Sequence, residues 1–362
     1  MKIFCIFAVL VICKMMKNMK VLRNISVITI ALALMLTGVN GWAQKSYQLV
    51  SPDRKLNATV SVGDRITFTL THESTGILGA SPVSMRLVSG EVLGEKPQGV
   101  SVKRGTVSRE VASPYYKKSE VAENYNELVL SFKGNYGLVF RAYNEGLAYR
   151  FTTNRKDALT ITAEEFTLHF VKDFMTFAPY SGGGEGSFEK QFYNSFESPY
   201  VHAPLSELDV KRLIFMPMLI TLDDGKKLCI TEADLYGFPG AWLNSTGETS
   251  LQVVHANYPK KSEPRGSSYF VPEREDYIAK TKGTRLFPWR LMIVSENDNA
   301  RDITLDLSFP GEGHFKAELF TDGVNANRIA SDYKKEVIDI PVNRRLIIKM
   351  AQGGGFAARI YK

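Results

Sequence analysis

Three cysteines in 362 residues leave little material for a disulfide framework. Cys5 and Cys13 fall within the first 43 residues, and Cys229 stands alone in Lys227-Leu-Cys-Ile-Thr231. No histidine or acid flanks it, so it reads as an inert packing thiol. Histidine is equally scarce. His72, His169, His202, His255 and His314 make up the whole set, and none forms an HxH or HExxH spacing, which argues against a histidine-built metal site. There is no GxSxG nucleophile elbow and no GxxxxGKS/T phosphate loop. Segments with a sustained 3.6-residue apolar period are almost absent, so helices are not expected to carry the fold. Long hydrophobic runs are lacking too. Ile3–Cys13 and Ile25–Leu36 are the apolar stretches of the first 43 residues, and both fall short of the ~20 residues that span a bilayer.

A large charge of one sign is also missing. The formal net charge is +7, but Lys2, Lys14, Lys17, Lys20 and Arg23 all precede the first acid, and removing those five cations leaves +2. The remaining Lys and Arg are scattered among acids. Nothing here calls for a nucleic-acid partner. Residues 1–43 read as a leader. Lys20 and Arg23 form a basic n-region, Ile25–Leu36 an apolar h-region, and Gly41-Trp42-Ala43 puts small residues at the −3 and −1 positions. Cleavage after Ala43 is expected, with Met19 as the true start. The expected product is an exported protein without a membrane span in its mature chain, periplasmic in a Gram-negative source.

What is present is alternation. Leu56-Asn-Ala-Thr-Val-Ser-Val62 and Arg65-Ile-Thr-Phe-Thr-Leu70 have the period of half-buried strands, with Gly63-Asp64 as the turn between them. Glu127–Phe132, Leu138–Tyr143 and Leu147–Phe151 repeat the pattern. Leu213–Leu222 and Lys227–Thr231 follow, with the turn Asp223-Asp224-Gly225. The expected fold is all-β: a large two-sheet β-sandwich over residues 44–297, followed by a small C-terminal antiparallel β module over 298–362. The polar stretch Ser295–Ala300 marks the junction. Ile303–Phe309, Phe315–Phe320, Val337–Pro341, Leu346–Met350 and Phe356–Tyr361 are the module's expected strands. The glycine-rich Ser181–Gly186 and the irregular aromatic stretch after it, down to Leu208, read as a functional or mobile loop.

Several blocks, in this order, resemble glycoside hydrolase family 97. They are Phe140-Arg-Ala-Tyr-Asn-Glu-Gly-Leu-Ala-Tyr-Arg-Phe151, Ser195-Phe-Glu-Ser-Pro-Tyr200 with Ala203-Pro-Leu-Ser206, Ile230-Thr-Glu-Ala-Asp-Leu235 and Phe287-Pro-Trp-Arg290. The tail, with Asp322-Gly323 and Gly353-Gly-Gly-Phe356, resembles the family's C-terminal β module. Members include α-glucosidases and α-galactosidases, and they carry a (β/α)8 barrel between these two parts. That barrel needs at least ~200 residues. Here Ile293-Val294 passes into tail-type sequence within about ten residues, so there is no room for the barrel.

The resemblance implies that the catalytic carboxylates sit on that barrel, so no catalytic residue is assigned here. It also implies that a sandwich glutamate helps hold calcium beside the sugar. By motif this is Glu197, although Phe196 stands where the family more often has tyrosine. A single loop carboxylate falls short of the six to eight oxygens calcium takes, so the alternative of a solvated loop acid stays open. Glu189, in the similar Ser187-Phe-Glu-Lys-Gln-Phe192, is expected to form a surface pair with Lys190. Glu232 and Asp234, two apart after a strand, read either as an acid/base pair on one face or as a structural strand end. Trp242 and Tyr200 are the candidate substrate-binding aromatics, with Tyr193, Phe196, Tyr236 and Phe238 as further stacking candidates. The expected partner is an α-linked oligosaccharide or glycan. The reading is a carbohydrate-associated, non-catalytic remnant of an exo-acting α-glycosidase. The alternatives are a hydrolase in an intact full-length version and a structural protein that oligomerises through the module's open sheet edges.

Overall fold

The computed structural model describes residues 44–113, 119–182, 187–193, 197–223, 225–265, 268–281, 285–295, 300–309, 311–329 and 331–362. The expected leader, Phe196 and most of the Ser295–Ala300 junction lie outside these residues.

The alternation read from the sequence becomes strand geometry directly. Leu56–Val62 and Ile66–His72 alternate buried and half-buried side chains at every position and pair in antiparallel register, Leu56 opposite His72. Successive side chains of a strand point to opposite faces, so the Leu, Ala, Val and Phe positions all turn one way. One sheet runs Lys45–Val50, Leu56–Val62, Ile66–His72, Thr75–Leu87, Leu159–His169, Ser250–His255 and Ala241–Ser245. The other runs Val201–Pro204, Met175–Ala178, Met218–Thr221, Lys227–Ala233, Trp289–Ser295, Gly146–Thr153, Tyr136–Tyr143, Glu120–Phe132 and Ser101–Ala112. Their inner faces close on one another through aromatic rings. Phe68 lies 6.0 Å from Phe140, and Tyr149 lies 5.4 Å from Phe166, each pair with one ring from each sheet.

A second, smaller hydrophobic cluster holds the C-terminal strands. Arg301–Asp306 pairs with Arg345–Met350, while Lys316–Asp322 sits between Tyr333–Asp339 and Phe356–Tyr361. Leu307, Ala317, Leu319, Leu346, Ile348 and Met350 are its buried residues. Among the described residues, no helix is long and apolar enough to cross a membrane.

One expected strand is shorter than read. Leu213–Leu222 is strand only over Met218–Thr221, with Ile214 in isolated bridges to Tyr180 and Leu243. Pro217, which follows a cis Met216–Pro217 bond, has no N–H to give a ladder, so regular pairing starts after it. Before it, Ile214 exchanges backbone hydrogen bonds with Leu243, and the Phe215 N–H donates to the Pro179 carbonyl at 2.9 Å.

At one end of the sandwich the core becomes ionic. Arg290 follows the inward phase of Met292 and Val294, and its side chain is 1% exposed. It lies opposite Glu232 on one neighbouring strand and Tyr149 on the other. Its guanidinium crosses to the opposite sheet, where Nε donates to Glu164 at 2.9 Å and a terminal nitrogen donates to the second Glu164 oxygen at 2.5 Å. It also bonds Glu232 and lies 3.2 Å from His255 Nε2. Removing one member of a buried pair leaves the other desolvated and uncompensated, which costs ~3–5 kcal/mol. Arg290→Ala is therefore expected to lower unfolding free energy by about 3 kcal/mol or more in urea titration. A midpoint equal to that of the wild type would show that the ionic link carries no stability.

Candidate carbohydrate cleft

An open cleft of about 520 Å³ lies against this ionic end. Four local features build it. The strand Lys227–Ala233 ends by placing Glu232 at its floor, in phase with buried Leu228 and Ile230. The strand Ala241–Ser245 places Trp242 in its wall, half-buried and 4.2 Å from the Phe215 ring. The helical turn Phe188–Gln191 delivers Phe192 and Tyr193. The hairpin of Pro259–Arg265 and Ser268–Arg274 supplies Val271 and Arg274.

The hairpin is tied down by a small polar network. Arg274 Nε donates to both oxygens of Glu189 at 2.8 Å, and another Arg274 nitrogen donates to the Asn257 carbonyl at 2.8 Å. The Tyr193 hydroxyl accepts from the Val271 N–H at 3.1 Å and lies 2.8 Å from Glu189. The expected Glu189–Lys190 surface pair is thus corrected: Glu189 instead anchors Arg274, brought to it from 85 residues away by the fold.

Glu232 links cleft and core. Its carboxylate accepts the Ala241 N–H at 3.0 and 3.2 Å as well as the Arg290 bond. Burial pushes the Glu232 carboxyl up, against the downward pull of Arg290. Glu164 meets the same upward push from burial, yet it is held below the usual carboxylate range because Arg290 binds both its oxygens. His255, its side chain buried, is pushed down to about 4 by that burial, with Glu164 pulling the other way. Arg290 stays charged.

Glu232 and Asp234 do not form an acid/base pair. The strand stops at Ala233, and Asp234 takes a φ of 60°. Glu232 turns inward to Arg290, while Asp234 lies 3.3 Å from Arg150, whose guanidinium stacks on Trp289. Trp289 and Arg290 are neighbours on one strand, so their side chains leave opposite faces. The two carboxylates are separated accordingly.

Trp242 lies in a strand rather than in the glycine- and proline-rich loop before it, and it lines the cleft. Tyr200 is 54% exposed just before Val201–Pro204, and neither it nor Glu197 is among the lining residues. Glu197 is exposed on the same stretch. Among the described residues no group of three or more His, Cys, Asp or Glu could hold a metal. Calcium's demand for six to eight oxygens is not met by these residues alone. Phe215 and Arg274 escaped the sequence reading; Phe215 sat in a presumed strand, and nothing local distinguishes Arg274 from other hairpin charges.

Comparison with known proteins bears on this geometry. Residues 49–310 match a family described as glycosyl-hydrolase 97 N-terminal, and residues 277–361 match glycosyl-hydrolase 97 C-terminal, oligomerisation. A retaining α-galactosidase of Bacteroides thetaiotaomicron is 40% identical over 276 residues, which is 75% of this chain and 42% of that protein. A family 97 enzyme from a Pseudoalteromonas species, solved with acarbose, superposes with a TM-score of 0.56 at 16% identity, over 70% of this chain and 36% of its own. A β-arabinopyranosidase superposes with a TM-score of 0.54 at 21% identity, over 70% and 41%. The structural likenesses show a shared fold. The chain spans less than half the length of each of these relatives.

His255 makes the ionic end sensitive to acid. Its folded value of about 4 lies below the unfolded 6.5, so the unfolded chain binds the extra proton between them. Stability is expected to be full above pH 6.5 and to fall as pH drops toward 4, by on the order of 3 kcal/mol from this group. His255→Gln should flatten that part of the profile in urea titrations across the range. An unchanged slope would assign the acid sensitivity elsewhere.

Proposed function

Because the chain belongs to glycoside hydrolase family 97, we propose that it is the sugar-handling sandwich of such an enzyme joined directly to the family's C-terminal module, and that it binds an α-linked glycan without cleaving it. The observation that carries this reading is the junction. The sandwich's last strand ends at Ser295 and the module's first begins at Arg301. A catalytic barrel needs at least ~200 residues, and only five, 296–300, lie between them.

Glycoside hydrolysis generally takes two carboxylates flanking the bond, roughly 5–9.5 Å apart across the scissile oxygen. Glu232 is committed to Arg290 and the Ala241 N–H, and Asp234 to the opposite face. The cleft suits a pyranose instead. Trp242, Phe215 and Tyr193 offer aromatic surface for the apolar face of a sugar ring, while Glu232 and Arg274 offer hydrogen-bonding partners for its hydroxyls.

A second reading rests on the 42% coverage of the α-galactosidase. In a longer protein that keeps the barrel, this sandwich would serve an exo-acting α-glycosidase, and Glu197 would be one carboxylate of a calcium site completed by other segments. Among the described residues, no further carboxylates gather with Glu197 to complete that site.

Titration calorimetry with melibiose and maltotriose tests the first reading. Saturable binding is expected, weakened about tenfold by Trp242→Ala, the scale of one lost aromatic contact. Aryl α-galactosides and α-glucosides should remain intact, with or without calcium. Turnover by the purified chain would sink the non-catalytic reading; binding indifferent to Trp242→Ala would move the sugar out of this cleft.

A further inference from the structure

The charges behind the cleft floor do not balance. Glu164 and Glu232 both bond Arg290, so two carboxylates share one guanidinium and leave an excess of one negative charge. His255 does not make up the difference. Its Nε2 lies 3.2 Å from an Arg290 nitrogen, and a guanidinium can only donate, so Nε2 accepts and carries no proton. Arg150 does not make it up either, because it stacks on Trp289 at the opposite face of the sheet and lies beside Asp234. The two carboxylates also differ in access. Glu164 is 4% exposed and has Arg290 on both its oxygens. Glu232 is 11% exposed, shares its bonds between Arg290 and the Ala241 N–H, and lines the cleft. The unbalanced charge is thus reachable from outside at Glu232.

The walls around it are aromatic. The Trp242 ring lies 4.2 Å from Phe215 and 6.0 Å from Phe192, and Tyr193 follows Phe192 into the lining. Among the described residues that line the cleft, Glu232 is the only acid and Arg274 the only base. Arg274 is already neutralised, since its Nε donates to both oxygens of Glu189. Ring faces attract a cation through their quadrupole, and more strongly once water is displaced. A carboxylate short of counter-charge, set among such rings, is the setting in which a ligand cation gains from both.

We propose that the cleft prefers an amino sugar, carrying a protonated amine, over the neutral sugar of the same shape. The inference rests on the sugar-binding reading above and adds the ligand's charge to it. The ammonium donates to Glu232 and restores the balance of the Glu164, Arg290 and Glu232 cluster, while the ring's apolar face packs on Trp242 and Phe215. An N-acetylated amine has no charge to give and gains nothing. The preference does not come from the overall field of the protein, because the chain carries a formal charge of +7 and repels cations at long range.

Titration calorimetry on the whole chain at about pH 6, where a free amine is protonated, tests the preference. The ligands are methyl α-D-galactopyranoside, its 2-amino-2-deoxy and 6-amino-6-deoxy counterparts, and the N-acetylated form of each amine. At least one free amine is expected to bind about tenfold tighter than the neutral galactoside, and its N-acetylated form no tighter. Glu232→Gln keeps the shape and an acceptor for the Ala241 N–H but removes the charge, and should bring the amine-to-neutral ratio to about one. The wild-type comparison stands on its own if that variant does not fold. A neutral galactoside that binds as tightly as both amines would overturn the amine preference and leave the sugar reading intact. An amine preference that survives Glu232→Gln would place the responsible charge elsewhere and overturn the role given to Glu232. Failure of every ligand to bind would sink the sugar reading and this inference with it.

Discussion

The sandwich depends on an arginine that its own core encloses. Arg290 sits in the middle of one sheet and reaches across the interior to Glu164 and His255 on the other. A buried ion pair of this kind adds little net stability over apolar packing. What it adds here is placement. The guanidinium fixes Glu232 on its own sheet and Glu164 on the opposite one. A slip of one residue on any of the three strands would leave a charge facing hydrocarbon or facing water on the wrong side. The aromatic layer of Phe68, Phe140, Tyr149 and Phe166 supplies the adhesive area. The ionic end supplies the alignment.

That alignment shapes the cleft. Glu232 is held from behind by Arg290 and from the side by the Ala241 N–H, so its carboxylate has one fixed orientation at the cleft floor. The Ala241 contact also positions the start of the strand bearing Trp242. On the far wall, Arg274 and Tyr193 are fixed by Glu189. The lining is therefore largely preformed, which lowers the ordering cost of a weak, many-hydroxyl ligand.

Much of the architecture was legible as alternation, because a half-buried strand writes its period into its sequence. Leu56–Val62 was read to the residue, and Lys227–Thr231 to within two. Pro217 defeated the reading of Leu213–Leu222, since the apolar pattern continued while the hydrogen-bonding capacity did not. The ionic end was also legible but went unread: Arg290, Glu164 and Glu232 each fall in the inward phase of an apolar alternation, with Met292, Phe166 and Ile230 as the adjacent inward residues. Three charges in the phase reserved for hydrocarbon are a signal of mutual pairing. The Glu189–Arg274 link left no such trace, because neither residue breaks a local pattern and only the folded hairpin brings them together.

The strand Trp289–Ser295 is the last of the sandwich in sequence but lies in the interior of its sheet, between Lys227–Ala233 and Gly146–Thr153. During synthesis the two halves of that sheet therefore emerge first and have nothing to join them. Each has one edge of unpaired N–H and C=O groups until the strand ending at Ser295 has been made. Long-range pairing of this kind folds slowly and leaves sticky intermediates on the way. The closing strand also brings Arg290, so Glu164 and Glu232 meet their counter-charge only at that moment. The order of synthesis thus sets a limit on the order of assembly: this sheet can be completed only when its keystone strand arrives.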